Sequence, residues 1–303
     1  MKPQLDIEKI KRAIKEIKKI DLQITTIEEL ETLLEPLFTG YQVSAPRFNP
    51  PVYLYRARRI ERPSKLEEVY YPKPELIKKL GRINNIGEPF FYAATARSVP
   101  FFELDVQPGE HVTVACWKTK KPLLLNHVGF TKECKDKLNS NRDLSQIYEF
   151  VKNMANFDET NKLVSNFLAS KFVEIIPKGY EHNYKTTIAI AKKLLMGNLL
   201  NGILYPTIAM SGNADNVVLK PDYADNNLEF VSVEHIKIKE RNGMKIEIDV
   251  LDSATKIENN GLFKWSGRKL QWKITEDGGE LQMKSEGGGW HAYDKYGNKV
   301  DPV

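Results

Sequence analysis

The sequence predicts an α+β fold, with helices at the N-terminal end and near residue 190, β-structure between them, and a β-meander at the C-terminal end. Three observations carry that expectation. Apolar residues recur at helical spacing in residues 5–20 and 184–196. Short apolar or alternating runs occur at 52–56, 90–92, 111–117, 202–205, 217–219 and 230–238. After about Arg241, strand-like runs are separated by Asn-Gly, Ser-Gly and Gly-Gly turns.

In residues 5–20, Leu5, Ile7, Ile10, Ile14 and Ile17 form an apolar stripe with Lys9, Lys11, Arg12, Lys15 and Lys18 around it. A membrane-surface or nucleic-acid role is one reading of such a basic helix. The favoured reading is a helix with a solvated lysine face, packed on the main domain. A second helix is expected from Thr26, because Thr26 and Glu29 have capping-box spacing ahead of Leu30, Leu33 and Leu34. The proline-rich APRFNPP at 45–51 breaks the pattern and marks the start of the main domain. Strands are then expected at Val52–Arg56 and Phe90–Tyr92, a helix at about 96–104, and a strand at His111–Trp117. Thr131–Leu168 reads as polar and helical, so an insertion is expected near 120–180. A helix at Tyr184–Met196 and strands at 202–205, 217–219 and 230–238 follow. The expected organisation is a helical extension at 1–50, a main domain at 51–240, and a β-rich segment at 241–303. That last segment is either a separate module or an appended sheet.

Composition narrows the function classes. A chain of 303 residues, 41% hydrophobic and 28% charged, buries a real core and suits one large or two modest domains. It has no apolar run of about 18 residues, so no membrane helix is expected. The N-terminal stretch is too charged for a signal peptide. Cys116 and Cys134 provide neither a metal-ligand spacing nor a disulfide framework. These features point to the cytoplasm. A net charge of +5, from 45 basic and 40 acidic residues, suits an anionic small molecule as well as a nucleic acid.

The familiar chemical motifs are missing from the sequence. No G-x-G-x-x-G follows a strand, and no H-E-x-x-H or G-x-S-x-G occurs. Gly197 and Gly202 have P-loop spacing, but Ile203 and Leu204 stand where Lys and Ser/Thr are needed. The histidines at 111, 127, 182, 235 and 291 are scattered, and His111 and His235 read as packing residues in or beside strands. No metal site is expected.

Three segments stand out: GRINNIGEPFFY at 81–92, the helix ending Phe101-Phe102-Glu103-Leu104, and Tyr205-Pro206-Thr207 with the downstream Asn216–Pro221 run. The first places Arg82 in a loop ahead of a strand carrying Tyr92. The second sets Glu103 among aromatics, either as a buried carboxylate needing a partner or as an exposed position beside a buried stripe. Taken singly, Arg82 reads as a surface arginine and Tyr92 as a strand aromatic.

Together these segments resemble the RES-domain family, named for Arg, Glu and Ser. In that family a G-R-x-N-x-x-G segment leads to a strand ending in Tyr, a short helix delivers Glu, and a P-S step precedes an N-x-x-x-x-P strand. An upstream YLYRARR, with Arg56, looks like the strand that opens the domain. The likeness covers about 52–236, outside the 120–180 stretch. It implies a split β-structure like that of ADP-ribosyltransferases, with flanking helices, that holds NAD as a substrate rather than a cofactor. The implied reaction is NAD degradation by hydrolysis, or by phosphorolysis with inorganic phosphate as co-substrate. Many such proteins are toxins with a cognate antitoxin protein. Homo-oligomers stay open, and neither membrane nor nucleic acid is an expected partner.

The residue types suit the implied chemistry. Breaking the glycosidic bond builds positive charge on the ribose, and a carboxylate on a ribose hydroxyl stabilises it, the role of Glu103. An arginine fork pairs with phosphate oxygens, the role of Arg82 toward the pyrophosphate or an attacking phosphate. Tyr92 offers a flat face to nicotinamide, and Arg56 is a second anion-binding candidate. Asn216 joins them as a substrate-binding candidate from the N-x-x-x-x-P run. The chain departs from the family at Thr207, which stands in the serine's place after Pro206. Threonine keeps the hydroxyl but adds a methyl and a stiffer χ1. Ser211 is the alternative hydroxyl, with a turn residue as its plain reading. Two other functions stay open: ADP-ribose transfer to a macromolecule, and a non-catalytic binding protein.

Overall fold

The computed structural model describes residues 6–154, 157–267, 269–275, 279–286, 289–294 and 296–300. The chain is mixed α+β, and its β-structure is mostly antiparallel. It divides into two compact units whose segments interleave along the sequence: 1–49, 72–91 and 122–225 form one, and 50–71, 92–121 and 226–303 the other.

In the first unit the Ile7–Ile17 helix starts at Asp6, whose carboxylate accepts the Glu8 and Lys9 amides. Its buried face is Ile10, Ala13, Ile14 and Ile17, and the lysines face outward. Ile7, expected in the stripe, is exposed in the first turn, and Leu5 lies outside the described residues. The Ile27–Phe38 helix begins with the expected capping box. The Glu29 amide donates to Thr26 Oγ1 at 3.2 Å, and the Thr26 amide donates to Glu29 Oε2 at 2.8 Å. This helix packs on the Tyr184–Leu194 helix, which buries everything from Thr186 to Ala191. Lys193 pairs with Glu35 across them, and Lys185 Nζ donates to the Thr25 carbonyl at 2.9 Å. The N-terminal helices therefore belong to the unit's core rather than to an extension.

The 120–180 stretch is likewise integral. Leu123–His127 forms a strand, antiparallel to Arg47–Phe48 and parallel to Gly202–Pro206, which pairs in turn with Asp215–Leu219. The Glu159–Phe172 helix buries Val164, Phe167, Leu168 and Phe172 and packs on the Tyr184–Leu194 helix. Apart from buried Asn161, its polar residues lie on the less buried faces, which is why the segment reads as an insertion. Gly202 is fixed by close approach: a Cβ there would stand 2.1 Å from the Val218 carbonyl oxygen.

In the second unit the antiparallel order is Phe91–Ala94, Tyr53–Arg58, His111–Thr119, Leu228–Asn242, Lys245–Ile257, Leu270–Ile274, Glu280–Glu286, Gly289–Tyr293 and Lys299–Val300. Phe263–Trp265 pairs on Lys245–Ile257. Residues 245–257 pair along the 228–242 strand, so the C-terminal β-segment is an appended sheet and no break falls at 241. Ile246, Ile248, Val250 and Ala254 alternate into the core beside Val233, Ile236 and Ile238.

Candidate functional site

The motif residues divide between the units, and each unit gathers its own share. In the first, the 81–88 loop is pinned by buried Ile83 and by the Gly81 amide, which donates to the Asn84 carbonyl at 3.0 Å. This presents Arg82 to the C-terminal end of the Glu159–Phe172 helix. Its Nη1 donates to the Phe172 carbonyl at 2.7 Å and its Nη2 to the Glu174 carbonyl at 3.2 Å. The guanidinium also lies 5.5 Å from the centre of the Tyr184 ring. Helix-terminal carbonyls lack partners within the helix, so an arginine here is well placed electrostatically. The fork expected to be open to phosphate is thus engaged with main-chain oxygens.

Phe172 connects this arginine to the third motif. Its ring meets that of Tyr205 edge-on, 5.7 Å between centres, and Tyr205 pairs in register with Asn216. Both Tyr205 and Asn216 are buried. Two residues on, Thr207 has no exposed surface. Its amide donates to the Ala214 carbonyl, and its carbonyl accepts the Gly212 amide, both at 2.8 Å, closing the 207–214 loop. Ser211 stands exposed on that loop in the left-handed region, with φ 51°. Of the two hydroxyl candidates, Thr207 is therefore held in the wall and Ser211 faces solvent.

Gly129 packs on the same step. A Cβ there would lie 2.7 Å from Pro206 Cδ, and its φ of +97° is itself unsuited to a side chain.

In the second unit, Arg56 Nη1 donates to the Tyr92 carbonyl at 2.8 Å and Nε to the Tyr70 carbonyl at 3.3 Å. Burial and the nearby Arg58 lower the Arg56 pKa to about 10, so the guanidinium stays charged at neutral pH. Tyr92 is half-buried on the Phe91–Ala94 strand. The Val99–Glu103 helix buries Val99, Pro100, Phe101 and Phe102 and leaves Glu103 exposed at its end. Of the two readings of Glu103, the structure takes the exposed position beside a buried stripe.

Arg97 was not singled out by sequence reasoning, although it lies inside the motif stretch. Its Nε donates to Glu234 at 2.7 Å and its Nη1 to Glu280 at 2.8 Å, while its guanidinium stacks 4.9 Å from the Trp272 ring. Burial works against the charge, but the two carboxylates outweigh it and raise the arginine's pKa. His111 and His235 are also more than packing residues: their ring nitrogens Nδ1 and Nε2 lie 2.9 Å apart.

Among the described residues, no group of three or more His, Cys, Asp or Glu side chains is placed to hold a metal ion. No described helix is long and apolar enough to cross a membrane. Cys116 and Cys134 are buried free thiols. No protein-family model, curated protein or solved structure matches this chain.

Proposed function

We propose that the chain is an NAD-degrading enzyme of RES type, cleaving the nicotinamide–ribose bond by phosphorolysis or hydrolysis. The observation that carries this reading is the meeting of distant motif segments through Phe172. Arg82 holds its carbonyl, Tyr205 meets its ring, and Asn216 pairs with Tyr205. The Arg56–Tyr92 hydrogen bond joins two more motif positions and supports the same reading.

In this reaction the bond between ribose C1′ and the pyridinium nitrogen breaks, and its electron pair returns to the ring, releasing neutral nicotinamide. A phosphate oxygen, or a water oxygen that then loses its proton, bonds to C1′. Positive charge develops on the ribose before that bond forms. The carboxylate of Glu103, exposed at its helix end, is the group assigned to a ribose hydroxyl, where it stabilises that charge. Arg56 supplies positive charge for the pyrophosphate, and Tyr92 packs on the nicotinamide. Arg82 acts as a positioning residue that fixes the helix end behind Tyr205. Thr207 positions the 207–214 loop, and Ser211 offers the solvent-facing hydroxyl.

The test is nicotinamide release from NAD by the purified protein, with and without phosphate, beside Glu103→Gln. Release by the wild type and loss of at least a hundredfold in the variant are expected, on the order of one stabilising contact in a transition state. Absence of release by folded protein under both conditions overturns the reading, as does an unaffected Glu103→Gln. Label from NAD appearing on macromolecules would instead identify ADP-ribose transfer. A toxin role, with its antitoxin partner, predicts growth arrest on expression that Glu103→Ala relieves.

A further inference from the structure

The first unit contains a cavity of about 360 Å³ in which none of the motif residues takes part. Its walls are the 41–44 segment, the turn after the Leu123–His127 strand, the Ser145–Lys152 helix and the start of the Glu159–Phe172 helix. That volume falls in the usual range for small-molecule sites, roughly 300–1,000 Å³.

Two features say what would fit. Ser44 Oγ, His127 Nε2 and the Tyr148 hydroxyl, all on lining residues, are buried with no hydrogen-bond partner. Native interiors satisfy roughly nine-tenths of such groups, so three orphans around one cavity call for a shared partner. The His127 imidazole neighbours the rings of Phe48 and Phe130, at 5.8 and 5.0 Å between centres. The charged lining residues are Lys132 and Lys162 against Glu133, Asp158 and Glu159. Lys162 lies 3.9 Å from Glu159, so the lining offers no excess of positive charge for an anion.

We propose that this cavity binds a neutral, planar heteroaromatic molecule of nucleobase or nucleoside size. Its ring packs on the aromatic lining, and its polar edge bonds to Ser44, His127 and Tyr148. The three polar atoms are shielded from water, so the proposed ligand engages them through small rotations of the Ser44, His127 and Tyr148 side chains. Burial, with Arg142 nearby, lowers the His127 pKa to about 4, so at neutral pH the ring offers hydrogen bonding without charge. Gly129 lines the cavity and also packs on Pro206, so the occupied wall adjoins the Pro206–Thr207 step. The site stands whether or not the chain cleaves NAD.

The experiment is calorimetric titration of the full chain with adenosine, and with AMP as the charged comparison. Saturable adenosine binding is expected, several-fold tighter than AMP. Ser44→Ala and Tyr148→Phe should each weaken it about tenfold, the worth of one hydrogen bond to a buried partner. Ile147→Trp, which fills the cavity from the Ser145–Lys152 helix, should abolish it. Ser44→Ala removes a hydroxyl that has no partner, so folding survives, and circular dichroism checks all three variants. The proposal is overturned by an absence of adenosine binding at millimolar concentration, or by AMP binding as tightly as adenosine. Adenosine binding that all three folded variants leave unchanged overturns it equally.

Discussion

His111 Nδ1 and His235 Nε2 stand 2.9 Å apart on neighbouring strands, so one ring donates to the other and the pair holds together while a ring nitrogen stays unprotonated. Burial, then His111 and Arg62, push the His235 pKa down, against the opposing pull of Glu61 and Asp252. His127 in the other unit is pushed from 6.5 to about 4. Both histidines are therefore less basic folded than unfolded. The unfolded chain binds more protons below about pH 6.5, so stability falls as pH drops from there toward 4 and is fully present above. For His127 the full effect is about 3 kcal/mol. Urea midpoints at pH 7, 5.5 and 4.5 should fall in that order, and His127→Gln should fall less steeply. Equal slopes for variant and wild type would contradict this account.

Arg82 has two charge-assisted bonds to main-chain carbonyls and stacks on Tyr184. Arg82→Ala should cost about 2–3 kcal/mol, because the Phe172 and Glu174 carbonyls lose a charged donor. Arg82→Lys, with its single ammonium, should recover part of that. Thermal melts measure it. Loss of NAD turnover in Arg82→Ala then counts as evidence of positioning only after the change in folding is subtracted. Glu103→Gln, which keeps the size of an exposed side chain at a helix end, is held to the same thermal melts, with a change of no more than about 0.5 kcal/mol expected.

Local signals were legible and distant pairings were not. The Thr26–Glu29 capping box and the Ile10–Ile17 stripe depend on residues a few positions apart, and both are found where the spacing puts them. The Leu123–His127 strand was hidden, because its parallel partner begins at Gly202 and a run of three leucines followed by Asn126 and His127 carries no period of its own. Arg97 was hidden for the same reason: its carboxylates lie 137 and 183 residues away. The candidate residues were found by motif alone. Burial then separated them, with Thr207 enclosed and Ser211 and Glu103 exposed. Ser44, His127 and Tyr148 belong to no motif and are related only by the cavity they line.

Gly129 tests the connection between the cavity and Pro206. Gly129→Ala combines a positive φ with a 2.7 Å approach to Pro206 Cδ. The backbone penalty alone is about 1 kcal/mol or more, and the ring contact adds to it. A fall in melting temperature of several degrees is expected. A wild-type melting temperature would mean that the Pro206 ring gives way freely, and that the cavity wall and the Pro206–Thr207 step are not mechanically linked.

Arg97 gives a prediction about enclosed charge. The arginine and its two glutamates are largely enclosed, with side-chain exposures of 11%, 18% and 15% for Arg97, Glu234 and Glu280. Removing one member of such a group leaves buried charge uncompensated, at a cost of about 3–5 kcal/mol. Glu280→Ala should sit at the low end, because Glu234 still balances the guanidinium. Arg97→Ala should cost more, since two carboxylates then share one enclosed site with no cation between them. Denaturant titrations of the wild type and both variants decide it. An Arg97→Ala penalty no larger than that of Glu280→Ala would mean that water reaches the carboxylates once the guanidinium is gone.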